Sequence, residues 1–90
     1  MKIELYTKPL CPYCVRAKAL LEAKKACFVE YNISNPSIKE EMLQRTKGAQ
    51  TVPQIFIDNE LIGGCDELFA LEMSGKLNQL LSSHPCPNHG

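Results

Sequence analysis

The segment Cys11-Pro12-Tyr13-Cys14 constrains this chain of 90 residues more than any other. Its two thiols are separated by two residues, and the run from Val15 to Cys27 that follows has no proline or glycine, which predicts a helix. Residues three apart lie on the same face of a helix, so the two sulfurs can come within disulfide reach. Pro12 suits the first helical turn, where its missing N–H costs nothing.

The position of Cys11 favours its reactive form. At the cap of the predicted helix it faces unpaired backbone N–H groups and the positive end of the helix dipole. Both features favour the thiolate, which is the nucleophilic form of cysteine. The residues therefore predict a thiol–disulfide redox centre in which Cys11 attacks and Cys14 resolves.

Composition places this centre in one small domain. The hydrophobic share of 44% is ordinary, and ten basic and ten acidic residues cancel, so no net field attracts nucleic acid or anionic membrane. No apolar run approaches the roughly 18 residues of a membrane span, and the N-terminus lacks the apolar core of a signal peptide. The five cysteines are an odd number, so we expect a reducing, cytoplasmic compartment rather than a secreted disulfide scaffold.

The first half of the chain predicts a strand–helix–strand unit. β-forming residues at 2–7 and 27–33 lie on either side of the predicted helix, which indicates a parallel pair with a right-handed crossover. A turn at 34–37 then starts a second helix, which runs to about Lys47 and stops at Gly48.

The second half predicts a hairpin followed by helices. Strands at 54–57 and 60–62 are separated only by a tight turn, so they pair antiparallel. A third helix starts near Asp66, and Gly75 separates it from a short fourth helix. The fold class is therefore α/β, a four-stranded mixed sheet with helices on both faces.

With these elements in place, the chain resembles the glutaredoxins, which have the thioredoxin fold. The features that carry the resemblance are Cys11-Pro12-Tyr13-Cys14 after a strand, Lys8 three residues earlier, Thr51-Val52-Pro53 before strand three, and Gly63-Gly64-Cys65-Asp66 at helix three. A lone C-x-x-C is weak evidence because zinc sites share it, but the four features together are specific. The resemblance is to small bacterial dithiol members and covers residues 1–83, which we expect to form the domain, with 84–90 as a flexible tail.

The resemblance implies a glutathione-dependent thiol–disulfide oxidoreductase. It would reduce protein disulfides and glutathione mixed disulfides through Cys11 and Cys14, with glutathione as the reducing co-substrate and no metal. The implied partners are disulfide-containing or glutathionylated proteins, with ribonucleotide reductase among the candidates, and we expect a monomer.

The resemblance also implies a glutathione site. Its residues would be Lys8, Tyr13, Thr51, Val52, Pro53, Gly64, Cys65 and Asp66. Pro53 would follow a cis peptide bond, and the Val52 backbone would pair with the cysteinyl part of glutathione like an added strand. The Cys65 amide and the Asp66 side chain would hold the γ-glutamyl end, because helix N–H groups suit a carboxylate and a carboxylate suits an ammonium.

Other residues complete the implied site. Lys8 would attract the glycyl carboxylate and favour the Cys11 thiolate, and Tyr13 would flank the tripeptide. From the second helix, Lys39 or Gln44 would add a contact.

Alternative interpretations concern the cysteines. Cys11 and Cys14 could be half of a zinc site, but the remaining candidate ligands are His84, Cys86 and His89 in the predicted tail. A carrier of an iron–sulfur cluster between two subunits, using Cys11 and glutathione, is a second possibility, against which Pro12 and Cys14 speak.

A third possibility is an electron donor reduced by thioredoxin reductase, against which Lys8 and Gly64-Cys65-Asp66 speak. We expect Cys27 to be a small buried hydrophobe and Cys65 to matter through its backbone amide rather than its thiol. The charged residues of the first helix are expected to form a solvated face; they are Arg16, Lys18, Glu22, Lys24 and Lys25.

Overall fold

A four-stranded mixed sheet organises the chain, as predicted. The structure, a computed structural model, describes residues 2–82, so the predicted tail lies outside the described residues. Its elements are β1 (Ile3–Thr7), α1 (Pro12–Ala23), β2 (Val29–Asn32), α2 (Pro36–Thr46), β3 (Gln54–Ile57), β4 (Glu60–Gly63), α3 (Cys65–Met73) and α4 (Lys76–Ser82). The strand order is β2-β1-β3-β4; β1 and β2 are parallel, and β3 is antiparallel to both β1 and β4. Within this range no helix has both the length and the apolar character to cross a membrane.

Each face of the sheet has its own core, because successive side chains of a strand point to opposite faces. One core joins the sheet to α1, α3 and α4, and its buried residues are Ile3, Leu5, Ala17, Leu21, Ile55, Ile57, Leu68 and Leu77. On the other face Tyr6 and Phe56 pack with Met42 of α2. The helices therefore cover both faces, as the α/β prediction required.

The first helix is shorter than predicted. It ends at Ala23, and Lys25 takes a left-handed backbone conformation with φ of 58°. The N–H of Lys25 donates to the Glu22 carbonyl at 2.9 Å, and the N–H of Ala26 donates to the Leu21 carbonyl at 3.0 Å. This hydrogen-bond pattern is typical of a helix that ends at a residue in the left-handed conformation, which is usually glycine. Because the residue here is a lysine, the sequence did not indicate that the helix ends at this point.

The prediction for Cys27 was wrong. Cys27 is exposed, whereas its neighbours Ala26 and Phe28 pack against the core beneath α1. The extended chain after the helix alternates its side chains, so Cys27 faces away from the core. Strand β2 begins only at Val29, two residues later than predicted.

An arginine on α2 is attached to the buried surface of the sheet. The two terminal nitrogens of Arg45 donate to the two carboxylate oxygens of Glu4, at 3.2 and 3.0 Å, and the side chain of Glu4 is only 5% exposed. Arg45 also donates to the Tyr6 hydroxyl at 2.9 Å, and its guanidinium carbon lies 3.9 Å from the centre of the Phe56 ring. This forked, stacked contact holds α2 against the sheet.

Candidate active site

The redox pair lies where the chain leaves β1 and enters α1. Cys11 is the N-cap of α1, and its sulfur accepts a hydrogen bond from the backbone N–H of Cys14 at 3.2 Å. Pro12 occupies the first helical position, as predicted. Leu10 precedes the pair in a left-handed conformation, with φ of 59° and an almost fully exposed side chain. The tight turn thus presents Cys11 at the helix N-terminus, where the dipole and the N–H groups favour negative charge.

The two thiols lie in different environments. Cys14 is almost fully buried, and the pKa of its thiol is raised to about 11, with burial as the largest cause. A hydrogen bond with Cys11 and the charge of Cys11 contribute to this rise, while a backbone hydrogen bond from Lys8 and the charge of Lys18 oppose it. Because its pKa lies well above neutrality, Cys14 is a protonated thiol near pH 7 and has to lose its proton before it can attack.

This difference predicts the order of alkylation. In a Cys65→Ser background we expect iodoacetamide to modify Cys11 at neutral pH and to leave Cys14 until the solution approaches pH 11, because the thiol form is unreactive below the pKa. Peptide mapping by mass spectrometry across a pH series measures both sites. Alkylation of Cys14 at neutral pH as fast as that of Cys11 would contradict this account.

The cis bond expected before Pro53 is present, and it brings the segment 51–53 against the redox pair. The carbonyl oxygen of Val52 lies 3.8 Å from the Cys11 sulfur. From this point a cavity of about 180 Å³ extends towards α3, and it is lined by Tyr13, Thr51, Val52, Pro53, Gly64, Cys65, Asp66 and Glu67. Most of the residues expected to bind glutathione thus line one cavity, whereas Lys8 and the two candidates on α2, Lys39 and Gln44, do not.

The far end of the cavity is the N-terminus of α3. The N-cap of the helix is Gly64, and Asp66 lies in its first turn. A Cβ atom on Gly64 would lie 3.2 Å from the Pro53 carbonyl oxygen, closer than most side chains tolerate. Glycine therefore lets the start of α3 approach the 51–53 segment and narrows the cavity between them.

Glu67 was missed by the sequence analysis. Its side chain accepts a hydrogen bond from the Gly64 N–H at 2.7 Å, which occupies one donor at the end of the cavity. The spacing of three residues between a cap and a glutamate is the signal that could have identified it.

A second cleft of about 470 Å³ adjoins the first between α1 and α3. It is lined by Arg16, Ala19, Leu20, Cys65, Asp66 and Phe69. Arg16 also lies over the Tyr13 ring, 5.9 Å from its centre, so this residue of the expected solvated face lies at the edge of the site.

Cys65 is a buried free thiol that lines both clefts. Its pKa is raised, mainly by burial and then by the charge of Asp66. The role expected for the backbone of Cys65 stays a prediction.

Three basic or amide residues of the implied site lie apart from the cavity lining. Lys8 is exposed, and so are Lys39 and Gln44 on α2, where the Gln44 amide donates to Glu40 at 3.2 Å. Their roles stay predictions. Over residues 2–82 no group of three or more His, Cys, Asp or Glu side chains is placed to hold a metal ion, and the histidines of the zinc alternative fall beyond this range.

Comparisons with known proteins agree with this geometry. The glutaredoxin family model matches residues 3–62. Glutaredoxin 3 of Escherichia coli (strain K12) is 52% identical over 79 residues, covering 88% of this chain and 95% of that protein. Glutaredoxin 1 of Rickettsia typhi is 48% identical over 85 residues, covering 92% of this chain and 82% of that protein.

Solved structures of glutaredoxins are also similar to this chain. The glutaredoxin from Brucella melitensis aligns with a TM-score of 0.78 and 46% identity over 96% of this chain and 94% of that one. A buckwheat glutaredoxin–glutathione complex aligns with a TM-score of 0.79 and 30% identity over 90% of this chain and 76% of that one. The chain therefore belongs to the glutaredoxin family and is a thiol–disulfide oxidoreductase of the thioredoxin fold.

Proposed function

We propose that this chain is a glutathione-dependent dithiol oxidoreductase that reduces both glutathione mixed disulfides and protein disulfides. The observation that carries the proposal is the cavity that runs from the Val52 carbonyl, beside the Cys11 sulfur, to the N-terminus of α3. The nucleophile thus lies beside one end of the cavity, and the other end has the N–H donors and the carboxylate that suit an amino acid terminus. The buckwheat glutaredoxin with a similar fold was solved as a glutathione complex, which supports the same ligand.

The proposed first cycle uses Cys11 alone. Its thiolate attacks the glutathione sulfur of a mixed disulfide, a Cys11–glutathione disulfide forms, and the substrate leaves as a thiolate that takes a proton from solvent. A second glutathione, as thiolate, attacks the glutathione sulfur of that intermediate, which releases oxidised glutathione and restores the Cys11 thiolate. Both steps are thiol–disulfide exchanges, so the electrons balance without another reductant.

The proposed second cycle uses both thiols. Cys11 attacks a protein disulfide and forms a mixed disulfide with the substrate, and Cys14 then attacks the Cys11 sulfur. The internal disulfide forms, the substrate thiol leaves, and glutathione later reduces the pair. The position of the two cysteines supports this closure, because the Cys11 sulfur lies only 3.2 Å from the backbone nitrogen of Cys14.

In this proposal each group of residues that lines the cavity has a role. The Val52 backbone would pair with the cysteinyl part of glutathione, with Thr51 and Pro53 forming the wall behind it. Tyr13 would lie along the tripeptide, and Asp66 with the amide of Cys65 would bind its γ-glutamyl end. The cavity is smaller than the roughly 300 Å³ of ordinary small-molecule pockets, so part of the ligand would stay in solvent, where the exposed Lys8 can reach the glycyl carboxylate.

A substitution at the far end of the cavity tests glutathione binding. For Asp66→Asn we expect the KM for glutathione to rise about tenfold, because a charge-assisted hydrogen bond to the ligand ammonium is lost, with kcat changed little. The assay is reduction of a small glutathione mixed disulfide coupled to glutathione reductase. Asp58→Asn, which makes the same change in the exposed β3–β4 turn, is the control and should leave KM unchanged. An unchanged KM in Asp66→Asn would remove Asp66 from the site.

Partners and compartment stay at the level of proposals. The substrates would be disulfide-containing or glutathionylated proteins of a reducing cytoplasm, with ribonucleotide reductase as one candidate. A Cys14→Ser variant traps the mixed disulfide with Cys11, so mass spectrometry of trapped adducts from the native cell extract would identify them.

A further inference from the structure

A charged cluster lies beneath the redox turn, and the mechanism above does not use it. The ammonium of Lys18 on α1 pairs with the Glu30 carboxylate on β2 at 3.0 Å. The same Glu30 oxygen accepts a hydrogen bond from the Thr7 hydroxyl at 2.6 Å, and Thr7 is a buried residue at the end of β1. Three elements that converge on the redox loop thus hold one lysine in place.

The lysine lies on the same helix face as the resolving thiol. Cys14 and Lys18 are four residues apart on α1, a spacing that makes them neighbours on one side of a helix. Glu30 holds the Lys18 side chain, which is 31% exposed, on the side of α1 that faces β2. An ion pair between two long side chains in solvent is usually mobile. Here the Thr7 hydroxyl anchors the Glu30 carboxylate, which restricts the position of the Lys18 ammonium.

We propose that Lys18, positioned by Glu30 and Thr7, is a positioning residue for the resolving step of the dithiol cycle, where its positive charge favours the Cys14 thiolate. This inference rests on the proposed dithiol function and deepens it. The nucleophilic step at Cys11 has its own stabilisation at the helix N-terminus and does not need Lys18.

The chemistry of the resolving step explains why a positive charge near Cys14 would help. Cys14 gives up its proton to solvent, its sulfur attacks the Cys11 sulfur of the mixed disulfide, the Cys11–Cys14 bond forms, and the substrate sulfur leaves as a thiolate that takes up a proton. Burial makes deprotonation of Cys14 difficult, and Lys18 is among the groups that lower its pKa. Deprotonation, rather than access to the second sulfur, is therefore the difficult part of this step.

Lys18 acts through its charge rather than as a base. The hydrogen bond to Glu30 raises the pKa of Lys18, so it stays an ammonium at neutral pH and cannot take a proton. Hydrogen bonds from Thr7 and Lys18 lower the pKa of Glu30, so this carboxylate is also a poor base. The charged or titratable groups that face Cys14 are then Cys11 and the Lys8 backbone in the loop and Lys18 on α1, with Glu30 on β2 beyond the lysine.

The step can be timed separately from the first attack. Limiting dithiobis-nitrobenzoate reacts with excess reduced protein in two stages, each of which releases a coloured thiolate: attack by Cys11 releases the first, and closure by Cys14 releases the second. Stopped-flow absorbance gives both rate constants. The Cys14→Ser variant should show the first release only, which identifies the second.

For Lys18→Met we expect the second release to slow by about threefold to tenfold near pH 7, the size expected for one charge at a partly solvated site. Its pH profile should move to higher pH, the first release should be unchanged, and Lys18→Arg should restore the parent rate. Lys24→Met is the matched control, because Lys24 at the C-cap of the same helix pairs with Glu72 at 2.7 Å, away from the redox pair. It should leave both releases unchanged.

The results separate the inference from the proposed function. A second release as fast in Lys18→Met as in the parent, or an equal slowing in Lys24→Met, would overturn the role of Lys18 while leaving the dithiol cycle intact. A parent protein that shows no second release would overturn the dithiol cycle itself and the inference with it.

Discussion

Cys11→Ser is expected to abolish reduction of both glutathione mixed disulfides and protein disulfides, by on the order of a thousandfold or more, because serine is not ionised near neutral pH and lacks a nucleophilic sulfur. The fold should survive the change. Cys11 is the N-cap of α1 and its sulfur accepts the Cys14 N–H, and serine is among the residues preferred at that position. Loss of turnover with an unchanged unfolding midpoint would therefore report chemistry alone.

Cys65→Ser is the matched control for this prediction. It makes the same replacement at another buried free thiol, one that lines the cavity beside the redox pair. We expect its turnover to stay within about twofold of the parent, because we propose that glutathione contacts the backbone of Cys65 rather than its thiol. A Cys11→Ser protein that still reduced a glutathione mixed disulfide at a near-normal rate would contradict the mechanism, and a large loss in Cys65→Ser would assign that thiol a direct role.

The largest effect on stability is expected at Arg45. Arg45→Met leaves the Glu4 carboxylate without the forked partner that neutralises it beside the sheet, and removing one member of a buried ion pair costs about 3 kcal/mol. Small domains have only about 5–15 kcal/mol in total, so the urea midpoint should fall clearly. Methionine keeps much of the contact with the Phe56 ring, which confines the change to the charge and its hydrogen bonds.

Lys2→Met is the control, since Lys2 reaches the same carboxylate at 3.6 Å from a side chain that is 60% exposed. A single long contact from a lysine as exposed as this one contributes at most about 1 kcal/mol, so we expect a small shift. Equal losses for Lys2→Met and Arg45→Met would show that the forked contact has no special weight.

The pH dependence of this effect follows from Glu4. Burial alone would raise the pKa of Glu4, but the hydrogen bonds and charge of Arg45 outweigh it and lower the pKa below its usual 4.5. A lowered folded-state pKa gives stability that is complete above the unfolded value and is lost as the pH falls through the folded one. The gap in unfolding free energy between parent and Arg45→Met should therefore narrow on acidification below about pH 4.

Local patterns predicted the frame of the fold. The redox turn joins a β-rich segment to a proline-initiated helix, and the short connection between 54–57 and 60–62 permitted only a hairpin, so both were readable from neighbouring residues. The prediction failed where a residue takes an unusual conformation for its type. Lys25 in a left-handed conformation ends α1 early, and the turn after it turns Cys27 to the surface.

Contacts between residues far apart in the sequence were the second feature that the sequence could not predict. Glu4 and Arg45 are 41 positions apart and meet only because β1 lies under α2, so neither stands out in the sequence. Lys18 and Glu30 are a second example. The sequence shows them only as two separate charged residues, and the structure shows that they form an ion pair. The glutathione site was predicted only through the family resemblance, because local sequence patterns do not indicate that residues 13, 52 and 66 lie close together in the fold.

The most direct test of the central claim is turnover of a small glutathione mixed disulfide, coupled to glutathione reductase, for the parent and for Cys14→Ser. We expect activity in both proteins, because Cys11 with bound glutathione is sufficient for this cycle, and we expect protein-disulfide reduction to be lost in Cys14→Ser alone. No activity in either protein, together with intact reduction of protein disulfides by thioredoxin reductase, would contradict the glutathione site and make this chain a thioredoxin-like electron donor.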